Sequence, residues 1–519
     1  MFRKASLFMI VMSAALTIVP VAYSQLEPSW PPDSNVYSRR ALAEDKNPSG
    51  RTAIGPRQFG IPRFPNVFVR DTVVSNVDPA LTNSDQFGDS EPAIAINRAN
   101  TDEIVVTAFS GFNWTNPGTN PPGDAPLWLT TDGGNTWSKD ETIPSPDGVN
   151  GKFCPCDQTI DYGRNGELFG SFLTVNPTNI YSGSTINPSN VSSWQWPLQK
   201  HQATLTDFGA PNNADQPWLL VNPDPFVSAQ DNSYVAYDDF SGCCSPAMRV
   251  STALGTAPPL FVRDVLTGIS SPFINPGHRL AVDRSSGFVY ELYQVRIAPG
   301  ADGVSQNINF VLNRSTDGGA TWGLNGSGTG IVVANADSTQ PRPKFGTVNA
   351  LLGGVDHVAV DHVTGDVYVV HGNRDATTGN NRLSIVRLSN DGNGGLVIVS
   401  RAFVTGQVQA ALPSIAVNDN RILGVLYDTF DGFSSAGFPM FSAHLAISRD
   451  QGSSFSDQVL EMFLSPTTDN GNGRQRVLGD YQQLKAVGNT FFGVFTGNGV
   501  PFGRPFANMD AIFFKTSVQ

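Results

Sequence analysis

Apolar residues in this chain fall into short runs, many alternating with polar ones, and the runs come in pairs separated by a polar turn. Seven such pairs recur: Glu91–Phe109, Asp157–Phe172, Gln216–Phe240, Arg279–Tyr293, Asp356–His371, Pro413–Phe430 and Gly479–Phe495. The copies resemble one another, as in PAIAIN…EIVVTAF, HRLAVD…FVYELY, DHVAVD…DVYVVH and PSIAVN…ILGVLY. Alternation at period two is the mark of a half-buried strand, so each pair reads as a β-hairpin. From Glu91 to Gly479 the spacing averages about 65 residues, enough for four short strands, A to D, in every unit. Four-stranded units repeated radially make a β-propeller, and seven units predict seven blades.

The last unit lacks a strand. After Tyr481–Lys485 and Thr490–Phe495 comes Ala511–Lys515, and the sequence stops at Gln519. The strand-like run Asn66–Val74 precedes the first unit, and it is expected to pair with Ala511–Lys515 and close the ring. Such closure removes an open sheet edge. Residues 25–60 carry Pro, Ser, Arg and Asn without periodicity and read as a poorly ordered leader. Residues 1–24 have a basic start at Arg3 and Lys4, an apolar stretch from Leu7 to Val19, and Ala22-Tyr23-Ser24 before Gln25. This is the pattern of a secretory signal, so residues 61–519 are expected to form the propeller of an exported protein.

Composition fits this picture. Gly (51) and Pro (37) are abundant and charged residues are only 15%, which suits many strands joined by turns. A net charge of −12 speaks against nucleic acid or an anionic membrane as partner. No later segment has transmembrane length, and a monomer is expected. Four cysteines form two pairs, Cys154/Cys156 and Cys243/Cys244. In an oxidising compartment they suggest cross-linking between the pairs, with soft-metal binding as the alternative.

A second motif, S/T-x-D-x-G-x-S/T-W/F, occurs three times. The copies are Thr130–Trp137 around Asp132, Ser315–Trp322 around Asp317 and Ser448–Phe455 around Asp450. Each follows an apolar run, so each is expected to be a C–D turn in which the carboxylate accepts backbone N–H bonds and Gly takes positive φ. The motif resembles the Asp-box (BNR) repeat of sialidase-type β-propellers, whose catalytic domain has six blades. The resemblance places Asp132, Trp137, Asp317, Trp322, Asp450 and Phe455 in structural turns on the face opposite any site.

On the other face, the starts of the A strands form a polar ring. It reads Glu91, Asp157-Gln158, Asp215-Gln216, His278-Arg279, Asp356-His357, Leu412-Pro413 and Asp480-Tyr481. The expected long B–C loops are Ser110–Ala125, Thr174–Lys200, Gln294–Gln306 and Asp431–Met440. Sialidase chemistry, as the resemblance implies it, needs a tyrosine nucleophile, a glutamate to activate it, an aspartate acid/base and an arginine cluster. Tyr481, Glu91 and Asp480 are the candidates for catalysis. Arg279, His357, Asp215 and Arg476 are those for substrate binding, with Arg342, Arg374, Arg474 and Arg504 also within loops. The sequence departs from the family pattern at its start, where Ile61-Pro62-Arg63-Phe64-Pro65 replaces the Arg-Ile-Pro order. A carboxylate set of Asp157, Asp215, Asp356 and Asp480 also admits Ca²⁺, and no other cofactor is expected. Three classes stay open: an exo-glycosidase of sialidase type, a polysaccharide lyase, and a non-catalytic propeller that recognises glycan or protein.

Overall fold

The computed structural model describes residues 69–73, 89–110, 125–143, 156–174, 179–196, 214–240, 247–255, 259–268, 274–338, 344–351, 353–471, 473, 475–497 and 509–518. The expected signal and leader, 1–24 and 25–60, therefore lie outside the described residues. So do Cys154, Cys243, Cys244, Arg342, Arg474 and Arg504, and of Cys156 only the backbone is described. The expected cysteine cross-links are thus outside as well.

The paired runs fold into seven small antiparallel sheets. The chain opens with β1 (Val69–Val73), then builds blade one from β2 (Asp89–Ile96), β3 (Ile104–Ser110), β4 (Ala125–Thr130) and β5 (Ser138–Ile143). Blade two has β6 (Cys156–Tyr162), β7 (Leu168–Thr174) and β8 (Asn179–Thr185). Blade three has β9 (Ala214–Pro223), β10 (Asp231–Asp239), β11 (Ala247–Leu254) and β12 (Phe261–Leu266). Blade four has β13 (Ile274–Val282), β14 (Val289–Pro299), β15 (Gln306–Ser315) and β16 (Ile331–Ser338). Blade five has β17 (Asp356–Val360), β18 (Val367–Arg374), β19 (Asn381–Asn390) and β20 (Leu396–Phe403). Blade six has β21 (Ala410–Val417), β22 (Leu423–Phe433), β23 (Pro439–Ser448) and β24 (Ser456–Leu464). Blade seven has β25 (Gln483–Val487), β26 (Thr490–Gly497) and β27 (Asp510–Ser517), with β1 as its outer strand.

The first strands of the blades, β2, β6, β9, β13, β17, β21 and β25, touch in that cyclic order and surround the axis. This is a seven-bladed β-propeller. β1 pairs antiparallel with β27, from Val69 opposite Thr516 to Val73 opposite Ile512, so chain start and end share one sheet. The core lies between blades. Ile94, Ile104, Val106 and Trp128 of blade one, for example, pack on Phe492, Val494 and Phe513 of blade seven.

Two expectations change. The connections 294–306 and 431–440 are less loop than strand, because β14 and β15 stay paired out to Pro299–Gln306, and β22 and β23 to Phe433–Pro439. Of the segment 174–200, the described residues hold β8, a 3-10 turn at Val191–Ser193 and a bridge from Ser184 to Gln195, with no fourth strand among them. There Trp194 and Trp196 stack with centroids 5.4 Å apart. Trp196 lies so close over Gly183 that a Cβ there would be 2.4 Å from its ring.

The three S/T-x-D-x-G-x-S/T-W/F turns join β4 to β5, β15 to β16 and β23 to β24. Asp132 Oδ1 accepts from the Thr136 amide at 2.9 Å and Oδ2 from the Thr136 hydroxyl at 2.6 Å. Asp317 makes the same pair of bonds with Thr321 (2.9 and 2.6 Å), and Asp450 with Ser454 (2.8 and 2.6 Å). Trp137 turns back to meet Phe513 edge-on at 5.2 Å, Trp322 is buried, and Phe455 packs on the core between blades five and six.

Candidate functional site

The polar ring is built on a repeated backbone irregularity. Glu91, Asp157, Gln216 and Leu412 have φ of 53°, 50°, 48° and 55°, left-handed values that cost a non-glycine residue about 1–2 kcal/mol. In blades one, two, three, four and six the pairing register slips at the start of the first strand, as in a β-bulge. Three of these positions precede proline (Glu91-Pro92, Gln216-Pro217, Leu412-Pro413), which supplies no N–H to the ladder. The x-Pro pairs are the sequence signal that could have located the bulges. Their effect is to turn the side chains at the strand starts onto the axis.

There the structure brings Glu91, Asp215, Asp480 and Arg476 together, with Asp157 and Gln216. Arg476 lies on the connection from β24 to β25. Its guanidinium Nη1 donates to Asp480 Oδ2 and stands 3.6 Å from Glu91 Oε1. Asp480 Oδ2 also accepts from Gln216 Nε2 at 2.9 Å, while the Asp480 amide donates to Glu91 Oε1 at 3.0 Å. This approach requires Gly479: a Cβ there would lie 2.2 Å from Glu91 Cγ, and φ is +85°. Asn349 holds the connection, its Oδ1 accepting from the amides of Leu478 and Gly479 at 2.9 and 3.1 Å.

Three carboxyls form a row. Glu91 acts on Asp157 and Asp157 on Asp215, each raising the next, so the row resists ionising as a whole. Burial, partly offset by Arg476 and reinforced by Asp480, raises Glu91 to about 7. Asp157 is pushed well above its ordinary value by burial and then by Glu91, and Asp215 by burial and then by Asp157. Glu91 and Asp157 are buried, whereas Asp215 and Arg476 are partly exposed and form the approach to them.

Other expected residues lie deeper. Tyr481 is buried and donates its hydroxyl to the Gln158 carbonyl at 3.1 Å. Burial first, then Glu91 and Asp157, raise its pKa well above 10.0, the direction opposite to phenolate formation. Arg279 is also buried, donating to the carbonyls of His278 (2.7 Å), Gly353 and Asp480 (both 3.3 Å). Its guanidinium lies 4.4 Å from the Trp218 ring centre, and Trp218 meets Tyr481 edge-on at 5.4 Å. Arg279, Trp218 and Tyr481 thus form a plug across the axis. His357 abuts Trp218 from below, at 5.5 Å, and lines a separate cavity. Burial, then Arg279, lowers its pKa to about 3, so it is neutral. Arg374 is engaged elsewhere, with Asp302 and Gly379.

A buried triad completes the picture: His278 Nε2 lies 2.9 Å from Asp238 Oδ1 and its Nδ1 3.3 Å from Glu291, joining blades three and four. Sequence reasoning placed His278 in the ring but had no signal for its partners on the second strands. Among the described residues no group of three or more His, Cys, Asp or Glu side chains is arranged to hold a metal ion, and no helix is long and apolar enough to cross a membrane.

No protein-family model matches the chain, and no curated relative matches it. Among solved structures it is similar to a protein of unknown function from Dyadobacter fermentans, at 13% identity over 88% of this chain and 100% of that one, TM-score 0.43. It is similar also to the Penicillium chrysogenum α-L-arabinanase solved with arabinobiose, at 9% identity over 89% and 96%, TM-score 0.41. The phage phi92 endosialidase matches at 8% identity over 83% and 68%, TM-score 0.39. The structural neighbours include arabinanase and sialidase β-propellers, and the likeness is one of architecture.

Proposed function

We propose that this chain is an exported glycan-acting propeller, and that the mouth around Arg476 hydrolyses glycosidic bonds with carboxyl groups. The observation that carries this is the row of interacting carboxyls Glu91, Asp157 and Asp215 beside Arg476. Glycoside hydrolysis needs one carboxyl that keeps its proton near neutral pH, to give to the leaving oxygen, and a second that is ionised. Like charges in a row keep its members from ionising together, which separates the two roles. Asp215 and Arg476 meet the sugar first; Glu91 and Asp157 hold the proton behind them. Tyr481 packs the floor in this reading and is no nucleophile.

The burial of Glu91 and Asp157 favours one other reading, recognition without turnover. Incubation of the purified chain with sialosides, arabinans and uronate polysaccharides separates the two. Turnover is expected on at least one class. Asp157→Asn and Glu91→Gln should then lower kcat/KM about 100-fold or more, while Tyr481→Phe stays within a few-fold. Glycan binding with no turnover establishes the recognition reading, and loss of turnover in Tyr481→Phe alone restores the tyrosine as nucleophile.

A further inference from the structure

Below the plug, on the side of the Asp-box turns, the axis widens into a cavity of about 320 Å³. Its floor is Trp218 and His357, and its walls include Leu280, Val358 and Ile415. Charged groups gather toward its rim. Arg98, Arg284, His362 and Asp419 each stand two residues past the end of a first strand, those of blades one, four, five and six. Lys485 and Asp161 lie one layer further in.

The cations outnumber their partners. Asp161 serves two of them: Lys485 Nζ lies 2.8 Å from Oδ1, and Arg284 Nη2 lies 3.7 Å from Oδ2. Asp419 stands 3.3 Å from His362 at the rim. Arg98 pairs with no carboxylate among the described residues, and its Nη2 reaches only the Ala486 carbonyl, at 3.4 Å. Among the residues lining the cavity, Arg98, Arg284 and Lys485 outnumber Asp161 and Asp419 by one, in a chain of net charge −12.

We infer that this axial cavity binds a small organic anion, its acidic head on Arg98, Arg284 and Lys485 and its apolar body against Trp218. The volume is about twice that of a cavity that accepts benzene, so a bare inorganic anion would leave the apolar wall uncovered. Guanidinium groups suit a planar carboxylate or a phosphate, and the apolar floor and walls suit the apolar part. An anion also relieves the crowding of like charge. Burial, and then Arg284, lowers the pKa of Arg98 to about 9, and burial acts in the same direction on Arg284 and Lys485. The site is independent of the glycan mouth, from which the plug divides it.

Titration calorimetry on the full chain tests the assignment with four probes: octanoate, octyl phosphate, octanol and acetate. At least one octyl acid is expected to bind about tenfold or more tightly than octanol and acetate, and to weaken as salt rises. Arg98→Ala, which breaks no ion pair among the described residues, should reduce that affinity about fivefold or more. Ala416→Phe, which fills the cavity and leaves every charge in place, should abolish it. The inference fails if neither acid binds, if octanol binds equally, or if both folded variants retain the parent affinity. Which acid binds better separates a carboxylate from a phosphate ligand.

Discussion

The same residue type does opposite things at the two ends of this molecule. Asp317 and Asp157 both begin short polar segments, yet one is a lowered carboxylate and the other a raised one. At Asp317 partial burial works against ionisation, but the Thr321 hydroxyl and amide and the Ser315 hydroxyl prevail and hold it below the ordinary value. All its partners lie within four residues, which is why the motif was legible in the sequence. Asp157 takes its character from burial and then from Glu91, which comes from the preceding blade and shares no local pattern with it. Asp317→Ala should cost about 1–2 kcal/mol in urea denaturation, since its donors are exposed enough to find water, and should leave ligand binding at both ends of the axis unchanged. A loss of binding in that variant would show that the turn reaches the axis.

Elements were legible where their requirement was local or numerical. The missing fourth strand of the last unit pointed to Asn66–Val74, and residues Val69–Val73 of that run lie along β27. Deleting residues 60–76 should expose the edge of β27, lower Tm and drive association through that edge, seen as dimers or larger species in size-exclusion chromatography. A monomeric variant with unchanged Tm would show that the pairing contributes nothing to closure. Blade two was counted but departs from the four-strand unit: among the described residues it has three strands, and the Trp194–Trp196 segment packs on them by its rings and a single bridge. The loop expectations at 294–306 and 431–440 also failed. Gly and polar residues there read as coil, but Ser305 donates to Asp302 in the first turn and Ser442 to Asp431 across the second hairpin.

At the scale of the whole molecule, the axis concentrates buried ionisable groups, and their shifts predict how stability follows pH. Burial raises Glu91 from 4.5 and Asp356 from 3.8, each to about 7. Over those windows the folded state binds more protons than the unfolded chain, so stability falls as pH rises. His278 adds the same sign. Burial opposes its charge, but Asp238 and Glu291 raise it from 6.5 to about 9, so its contribution is full below 6.5 and is lost as pH climbs through 9. His357 and His371 act the other way: burial lowers them to about 3 and about 4, so the unfolded chain protonates first and stability drops as pH falls below 6.5. Tm should therefore decline continuously between about pH 6.5 and 9.5, and His278→Gln should flatten that decline. A Tm that rises over this range would reject the charged triad.

The sequence by itself determined the repeat, the seven blades, the turn chemistry of the Asp boxes and the set of residues that reach the axis, because each follows from period, spacing or neighbours a few positions away. Only the tertiary structure decided which of those residues are a mouth, which a plug and which a cavity wall. Tyr481, Arg279 and His357 stand beside the carboxyl row in the sequence pattern. The ring stacks them beneath it, where packing around Trp218 sets their surroundings. Arg98 and Arg284 hold the same position in their repeats, but Lys485 does not, and no local pattern brings the three together. They meet because seven strands converge on one axis, and convergence is a property of closure that no single segment carries.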